Sequence, residues 1–251
     1  MADEALFEYL LRLGDDRLIL GHRNAEWCGH GPIIEEDIAL SNIALDQIGA
    51  AQLFLTLAGQ TEGKGRDADQ LVYWRDDLEF RNLQMLELPR GDFAFTMVRQ
   101  FLFSSWSHLV LEGLAAGESG DLAGIAGKAL KENRYHLRHA AEWVVRFGDG
   151  TEESHQRAQA ALDELWPWTA EFWYEDEVDR EVQAGGTAPS AAVLKPKWEV
   201  TVGEVFGRAT LKTPTTPMRM VGGRQGRHTE FLGRLLAEMQ IVARSHPGAT
   251  W

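Results

Sequence analysis

Hydrophobic residues recur every three to four positions along most of the chain, a spacing typical of amphipathic α-helices. In the first segment, Leu6, Leu10 and Leu13 follow this spacing until Gly31-Pro32 interrupts it, and Pro32 suits the start of a second helix. The pattern predicts five long helices, which span about residues 3–29, 33–59, 93–116, 121–147 and 152–183. No alternating pattern typical of strands accompanies them.

The remaining segments predict shorter elements. Residues 72–86 are rich in Trp, Asp and Arg and predict one short helix, and residues 190–210 predict a helix or two. Residues 213–226 combine Thr, Pro and Gly, which favours an ordered loop before a last helix at about 228–244. Asp92 and Thr151 stand where N-caps are expected.

Long helices joined by short turns pack as antiparallel neighbours, so the pattern predicts an all-α bundle. We expect a single domain over residues 1–251, with the bundle core at about 3–183 and a loop and helix extension at about 184–251.

Composition limits the partners. The chain holds 25 Lys and Arg against 38 Asp and Glu, a net charge of −13, and no basic stripe, which argues against a nucleic-acid partner. The single Cys28 excludes an internal disulfide and fits a reducing compartment. The N-terminal segment carries acids where a signal peptide needs Lys or Arg, and the apolar runs are too short to span a bilayer. We therefore expect a cytoplasmic protein with no membrane partner.

Helical bundles that hold two iron ions use a Glu from two helices and a Glu-x-x-His pair from each of the other two. The one such pair here, Glu152 and His155, lies in the first turn of a predicted helix, where acids simply complement the helix dipole. Glu132, His136 and His139 share one helix face, but the basic residues between them favour an ion-paired helix over a metal site.

Two further patterns favour structural roles. The glycine-rich stretch 222–227 is able to cradle a phosphate through its amides, yet it lacks the strand and the Lys-Ser/Thr ending of a phosphate loop. A mobile interface loop is the better interpretation. Trp166, Trp168 and Trp173 are expected to build contacts in the core or between subunits rather than a ligand site.

Four segments together resemble the structural C subunit of bacterial multicomponent phenylacetyl-CoA epoxidases. These segments are residues 13–15, 26–32, 129–138 and 228–240. Because they run from near the first residue towards the last, the resemblance covers essentially the whole chain. Any one of them alone is not specific, but the set is.

The resemblance implies a division of labour. In that family a related catalytic subunit of similar fold carries the di-iron centre and binds phenylacetyl-CoA, and a separate reductase supplies electrons. The C subunit pairs with the catalytic subunit as a scaffold, and the complex forms the ring 1,2-epoxide. For this chain the resemblance implies no cofactor of its own, a hetero-oligomer with the catalytic subunit, and only indirect contact with the reductase.

The catalytic subunit's ligand pattern can be placed on this chain residue by residue. Its Asp-Glu-x-Gly-His pattern falls on residues 46–50 and its Glu-Glu-x-x-His pattern on residues 132–136. The ligand positions, here called the degenerate positions, fall on Arg17, Gln47, Ala50, Ser104, Asn133 and His136. Of these, only His136 keeps a ligand, and a guanidinium, two amides, a methyl and a hydroxyl cannot hold two iron ions.

The sequence therefore predicts a ferritin-like four-helix bundle with additional C-terminal helices, which acts as a non-catalytic subunit without a metal site. Arg17 is expected in the bundle interior, paired with Asp46, Glu132 or another acid, since a buried charge needs a partner. Trp27, His30 and Arg23, on or beside the first two helices, are the candidate interface residues.

Two alternatives remain open. One is a metalloenzyme with an atypical site around Glu132, His136 and His139, assisted by acids such as Asp46 or Glu26. The other is a self-associating structural bundle that has no oxygenase partner. Metal analysis of the purified protein distinguishes the metalloenzyme from a scaffold. Co-purification with a second ferritin-like chain distinguishes an oxygenase scaffold from a self-associating bundle.

Overall fold

A computed structural model describes residues 2–117 and 120–249. Over these residues the chain forms nine α-helices and no strands, so the predicted all-α class is confirmed. The helices are α1 (Ala2–Ala25), α2 (Ile34–Glu62), α3 (Ala68–Tyr73), α4 (Phe93–Ala115), α5 (Gly120–Gly148), α6 (Glu152–Leu165), α7 (Glu177–Ala184), α8 (Ala191–Arg208) and α9 (Glu230–Ser245). Short 3₁₀ segments lie at Asp77–Glu79, Gln84–Glu87, Trp166–Trp173 and Gly223–Gln225.

The four long helices α1, α2, α4 and α5 form a bundle in which α1 packs along α2 and α4 along α5. The side-chain hydrogen bonds between α1 and α4 join Arg17 to Ser107 and Asn24 to Gln100, so these two helices are antiparallel. Because α1 is also antiparallel to α2, helices α2 and α4 run in the same direction. The connection over residues 63–92 must therefore cross the length of the bundle, which is the single long crossover of ferritin-like folds.

The predicted N-caps are confirmed. The carboxylate of Asp92 accepts a hydrogen bond from the backbone N–H of Phe95 at 2.8 Å and begins α4. The hydroxyl of Thr151 accepts one from the N–H of Ser154 at 3.2 Å and begins α6. Each cap satisfies a backbone donor that has no partner inside its own helix.

The first two predicted helices need small corrections at their C-terminal ends. Helix α1 ends at Ala25 rather than near residue 29, and α2 continues past Gly59 to Glu62. Gly59 does not stop the helix: it makes room for the returning chain, because a Cβ there would lie 2.0 Å from the carbonyl oxygen of Arg66. The left-handed C-cap is Gly63, at φ 70°.

The prediction of one helix over residues 72–86 is wrong. Helix α3 ends at Tyr73, and the chain then continues through two 3₁₀ segments. The backbone N–H groups of Arg81 and Leu83 donate to the carboxylates of Asp15 and Asp16 on α1 at 2.9 and 2.8 Å. Because these amides are held by α1, they are not available for a helical ladder.

The prediction of one helix over residues 152–183 is also wrong. Helix α6 ends at Leu165, a 3₁₀ segment follows with Pro167 in its first turn, and α7 begins after the N-cap Asp176. Proline lacks the N–H that an α-helix interior needs, and its ring clashes with the carbonyl four residues earlier. The tighter 3₁₀ turn accommodates it.

By length and hydropathy alone α2 is able to cross a membrane. Half of its most apolar window is buried inside this fold, and a core helix of a bundle meets the same criteria.

Candidate functional site

The degenerate positions line the interior of the bundle, with α1, α2, α4 and α5 each contributing at least one. Every one of these side chains is at most 4% exposed. The predicted interior location of Arg17 is therefore confirmed. The interior around these positions, which we call the bundle centre, is the candidate functional site.

The polar groups of the bundle centre bind one another. Nε2 of Gln47 lies 3.4 Å from Nδ1 of His136, and Nδ2 of Asn133 donates to the carbonyl oxygen of Ser104 at 2.9 Å. The other ring nitrogen of His136 lies 3.0 Å from the carboxylate of Asp46. The one retained ligand type, an imidazole, thus has both nitrogens engaged by neighbouring side chains.

A second hydrogen-bonded chain links α1 to α4 through Ser104 and two residues that were not predicted from the sequence, Asn24 and Gln100. The amide of Asn24 donates to Oε1 of Gln100 at 2.8 Å, and Nε2 of Gln100 donates to the hydroxyl of Ser104 at 2.7 Å. All three side chains are fully buried. The available signal was the spacing of Gln100 and Ser104, two polar residues one helical turn apart in a helix whose residues are mostly buried.

Arg17 is buried without the acidic partner that the sequence predicted. Its Nη1 donates to the carbonyl oxygen of Leu13 at 2.8 Å, its Nη2 donates to the hydroxyl of Ser107 at 3.1 Å, and its guanidinium carbon lies 4.7 Å from the ring centre of Phe54. Burial lowers the pKa of Arg17 to about 10, although the nearby charge of Asp16 opposes that shift. The guanidinium is satisfied by neutral acceptors and an aromatic face.

The two acids named for Arg17 are held elsewhere. Asp46 faces His136, and Glu132 lies 3.3 Å from Nζ of Lys128 on the outside of α5. The expectation of an ion pair with either acid is therefore wrong. Each carboxylate therefore binds a side chain of α5, His136 for Asp46 and Lys128 for Glu132, instead of Arg17.

The alternative metal cluster on α5 does not converge on one point. Nε2 of His139 lies 2.7 Å from the carboxylate of Glu36, while His136 is directed to Asp46 and Glu132 to its own helix. Over the described residues, no group of three or more His, Cys, Asp and Glu side chains lies close enough to hold a metal ion.

Glu152 and His155 do not form a pair either. The Nδ1 of His155 lies 2.8 Å from the carbonyl oxygen of Gly148, and Glu152 accepts a hydrogen bond of 2.6 Å from Gln156. Both side chains stabilise the start of α6 and the turn before it.

Trp27 fills the bundle rather than presenting its ring to a partner, which corrects its assignment as an interface residue. Only 6% of it is exposed, and its indole N–H donates to the hydroxyl of Thr96 at 3.0 Å. The ring of Phe93 packs edge-on against the indole, with 5.5 Å between the ring centres. The guanidinium carbon of Arg90 lies over the indole, 4.4 Å from its ring centre. The indole therefore joins α4 to the turn after α1.

The other two candidate interface residues differ in exposure. His30 is exposed, and its Nδ1 lies 3.1 Å from the carbonyl oxygen of Cys28. Arg23 is half-buried, because it donates to the carbonyl oxygen of Glu87 and forms an ion pair with Glu26 at 2.5 Å. Arg23 thus ties α1 to the crossover, and only His30 is openly available.

A stripe of exposed apolar side chains runs along α2. Ile34, Ile38 and Leu45 are 68%, 55% and 66% exposed, and their spacing places them on one side of the helix. This stripe is called the α2 face below. Helical spacing alone does not distinguish these three residues from core residues, but the bundle buries the opposite side of α2, including Ile43 and Phe54.

The glycine-rich stretch 222–227 is part of the folded body rather than a mobile loop. The N–H groups of Gly222 and Gly223 donate to one carboxylate oxygen of Glu171 at 3.0 and 2.7 Å, and Gln84 N–H donates to the other at 2.8 Å. A Cβ on Gly223 would lie 2.0 Å from the carbonyl oxygen of Asn82. The amides that a phosphate would need already bind an internal carboxylate.

Two buried ion pairs attach the crossover and the C-terminal segment to α1. Arg75 binds Asp15 at 2.5 and 2.9 Å, and Arg224 binds Asp16 through two contacts of 2.8 Å. Neither pair was predicted from the sequence. The adjacent acids Asp15 and Asp16, set among apolar residues of a helix, were the signal that buried partners exist.

The fold and the bundle centre together define the class of protein: a ferritin-like helical bundle whose central positions carry mutually hydrogen-bonded neutral groups and one guanidinium. The family model described as "Phenylacetic acid catabolic protein" matches residues 1–251, and the chain belongs to this family. It is also 43% identical over 246 residues to the C subunit of the 1,2-phenylacetyl-CoA epoxidase of Escherichia coli (strain K12), covering 98% of this chain and 99% of that relative. The resemblance found in the sequence is therefore confirmed.

Proposed function

We propose that this chain is the structural subunit of a 1,2-phenylacetyl-CoA epoxidase and serves the aerobic breakdown of phenylacetate in the cytoplasm. Membership of the phenylacetic acid catabolic family and the match to an epoxidase C subunit over nearly the whole length of both chains support this assignment.

The bundle centre carries the proposal that the subunit is non-catalytic. Two iron ions need several anionic oxygen ligands to balance their charge. The degenerate positions instead supply a guanidinium, amides, a hydroxyl and a methyl, and their one imidazole is bound on both sides. These residues do not fit a di-iron centre. The iron and the oxygen chemistry then belong to the partner subunit, and this chain takes no cofactor.

The α2 face supports the proposal of a partner. A stripe of exposed isoleucine and leucine on a bundle helix is unfavourable in water and marks a surface that another protein covers. A second bundle of the same class is able to lay a helix along it, as ferritin-like pairs do, within an obligate interface of roughly 2,000 Å² or more. We propose the catalytic subunit as that second bundle, with the reductase contacting the assembled pair.

Reconstitution tests this function. The chain and the catalytic subunit are expressed separately and together, and epoxidation of phenylacetyl-CoA is followed with the reductase present. We expect turnover only when both subunits are present, and co-purification of the two as a stable complex. Turnover by this chain with the reductase alone would contradict the proposal, as would full activity of the catalytic subunit in its absence.

A further inference from the structure

A cleft of about 230 Å³ lies on the side of the molecule formed by the 3₁₀ segment Trp166–Trp173, by α8 and by the loop before residue 222. Three of its lining side chains are tryptophans: Trp166, Trp173 and Trp198. The ring centre of Trp198 lies 5.7 Å from that of Trp166 and 5.3 Å from that of Trp173. We call this feature the tryptophan cleft.

The three indoles play different parts in the cleft. Trp198 is 2% exposed and forms the floor, where its N–H is directed to the carbonyl oxygen of Leu102 at 3.4 Å. Trp166 and Trp173 are only partly buried and form the walls. Packing against α4 thus holds Trp198 in place, whereas the indoles of Trp166 and Trp173 remain accessible from the cleft.

The loop on the remaining side is anchored rather than free. The N–H of Met220 donates to the carbonyl oxygen of Pro167 at 3.1 Å, which ties the loop to the 3₁₀ segment. Met218, on the same loop, is 60% exposed and also lines the cleft. A flexible thioether beside open aromatic surface suits contact with a ring.

The rim of the cleft carries two cations in a chain whose net charge is −13. Lys195 and Arg219 both line the opening and are exposed. Glu199 lies 3.9 Å from Lys195, but both partners are largely exposed, so this pair is weak and leaves the ammonium available. Glu199 also lines the cleft, so the rim carries two cations against one carboxylate and is positive by one charge beside an aromatic wall.

We propose that the tryptophan cleft binds a small molecule that combines a planar aromatic ring with an anionic group. A ring that lies in the cleft against Trp166 and Trp173 gains aromatic contacts in addition to the burial of its own surface. Lys195 and Arg219 orient the anionic group towards the rim. The volume suits one ring with a short acidic side chain. This site is separate from the bundle centre and from the α2 face, so it stands independently of the proposed scaffold role.

Saturation-transfer NMR with phenylacetate as the probe tests the proposal on the intact chain. Phenethylamine, which keeps the ring and reverses the charge, and cyclohexylacetate, which keeps the charge and removes the aromatic ring, are the matched ligands. We expect saturable binding of phenylacetate, and binding of the other two that is weaker by at least roughly fivefold. Equal binding of all three ligands would overturn the proposed chemistry.

Charge-reversal variants locate the site. We expect Lys195→Glu and Arg219→Glu each to weaken phenylacetate binding by roughly fivefold. Lys197→Glu is the control, because it reverses an exposed charge on the same helix outside the cleft. These are surface changes, and circular dichroism confirms that each variant is folded. The site would be refuted if the wild type showed no saturable binding of phenylacetate. It would also be refuted if the wild type and all three variants bound phenylacetate equally. Complex formation with the catalytic subunit is measured in a separate pull-down, so that the two proposals can fail independently.

Discussion

The guanidinium of Arg224 holds the carboxylate of Asp16 through two parallel contacts of 2.8 Å, with Asp16 fully buried. The two residues are 208 positions apart in the chain, so this pair fixes the C-terminal loop against the first helix. Asp16 also accepts the N–H of Leu83 from the crossover at 2.8 Å. One carboxylate thus holds together three segments that the sequence pattern treats as separate.

Replacing Asp16 tests the strength of this connection. Asp16→Asn removes the carboxylate that directly binds the buried guanidinium of Arg224, and breaking such a pair costs about 3–5 kcal/mol. We expect the free energy of unfolding, measured by urea titration, to fall by that amount. Asp163→Asn, on the exposed side of α6, is the control. A loss below about 1 kcal/mol would show that the pair is dispensable.

His228 is predicted to make stability depend on pH. Its Nδ1 lies 2.5 Å from the carboxylate of Glu87 and its Nε2 lies 3.0 Å from the carbonyl oxygen of Phe80, and only a protonated imidazole donates from both nitrogens. Burial alone would lower the pKa of His228, but the hydrogen bond and the charge of Glu87 outweigh it and raise the pKa above its ordinary value.

The direction of the pH effect follows from that raised pKa. The stabilisation is fully present below the ordinary histidine pKa of about 6.5 and is lost as the pH rises through the higher pKa of the folded protein. We expect His228→Gln to reduce the free energy of unfolding by about 1.5–3 kcal/mol near pH 6, and by less near pH 9. The exposed His246→Gln is the control. A difference that grows with pH would contradict this assignment.

Glu171 is predicted to order the glycine-rich stretch 222–227. Its carboxylate accepts three backbone N–H groups, and Glu171→Gln replaces one accepting oxygen with an NH₂ group that faces donors. We expect amide hydrogen exchange at Gly222 and Gly223 to accelerate by at least roughly tenfold, while exchange within α2 is unchanged. Glu177→Gln, on the surface of α7, is the control; equal protection in both variants would show that other contacts order this segment.

The sequence predicted the helices whose signals are local and missed the contacts whose partners are distant. Asp92 and Thr151 were found because a cap lies next to the helix that it begins. The 3₁₀ turn at Pro167 replaced a predicted long helix because proline geometry outweighed the apolar spacing. The segment after Tyr73 could not be predicted, since its backbone is bound by acids on α1.

In the bundle centre, too, the local positions could be predicted and their distant partners could not. The degenerate positions were placed inside the bundle by resemblance to the catalytic pattern, and all six side chains are buried. Their partners were not predictable, because Arg17 bonds to a hydroxyl on α4 and Asn24 reaches Gln100 across the bundle. The candidate interface was placed on or beside the first two helices, but the three residues of the α2 face were not singled out, because an apolar residue at helical spacing gives the same signal whether it meets its own core or another protein.

The α2 face is predicted to hold the catalytic subunit. Leu45→Asp places a charge in the middle of the exposed stripe, and a charge that is desolvated in an interface without a partner costs several kcal/mol. We expect this variant to fold with unchanged helicity and to lose the catalytic subunit in a pull-down from co-expressing cells. Val200→Asp, an equally exposed apolar position on α8, is the matched control. If Leu45→Asp retained the complex at full strength, α2 would not be the docking face.

The iron content of the chain purified alone, measured by inductively coupled plasma mass spectrometry, tests the account most directly. The catalytic subunit, expressed and purified in the same iron-supplemented medium, is the positive control. The guanidinium, amides and hydroxyl of the bundle centre predict far less than one iron per chain, together with a di-iron signal in the control. Two irons per chain in this protein, bound tightly enough to survive a chelator wash, would contradict the assignment of a scaffold without its own metal centre.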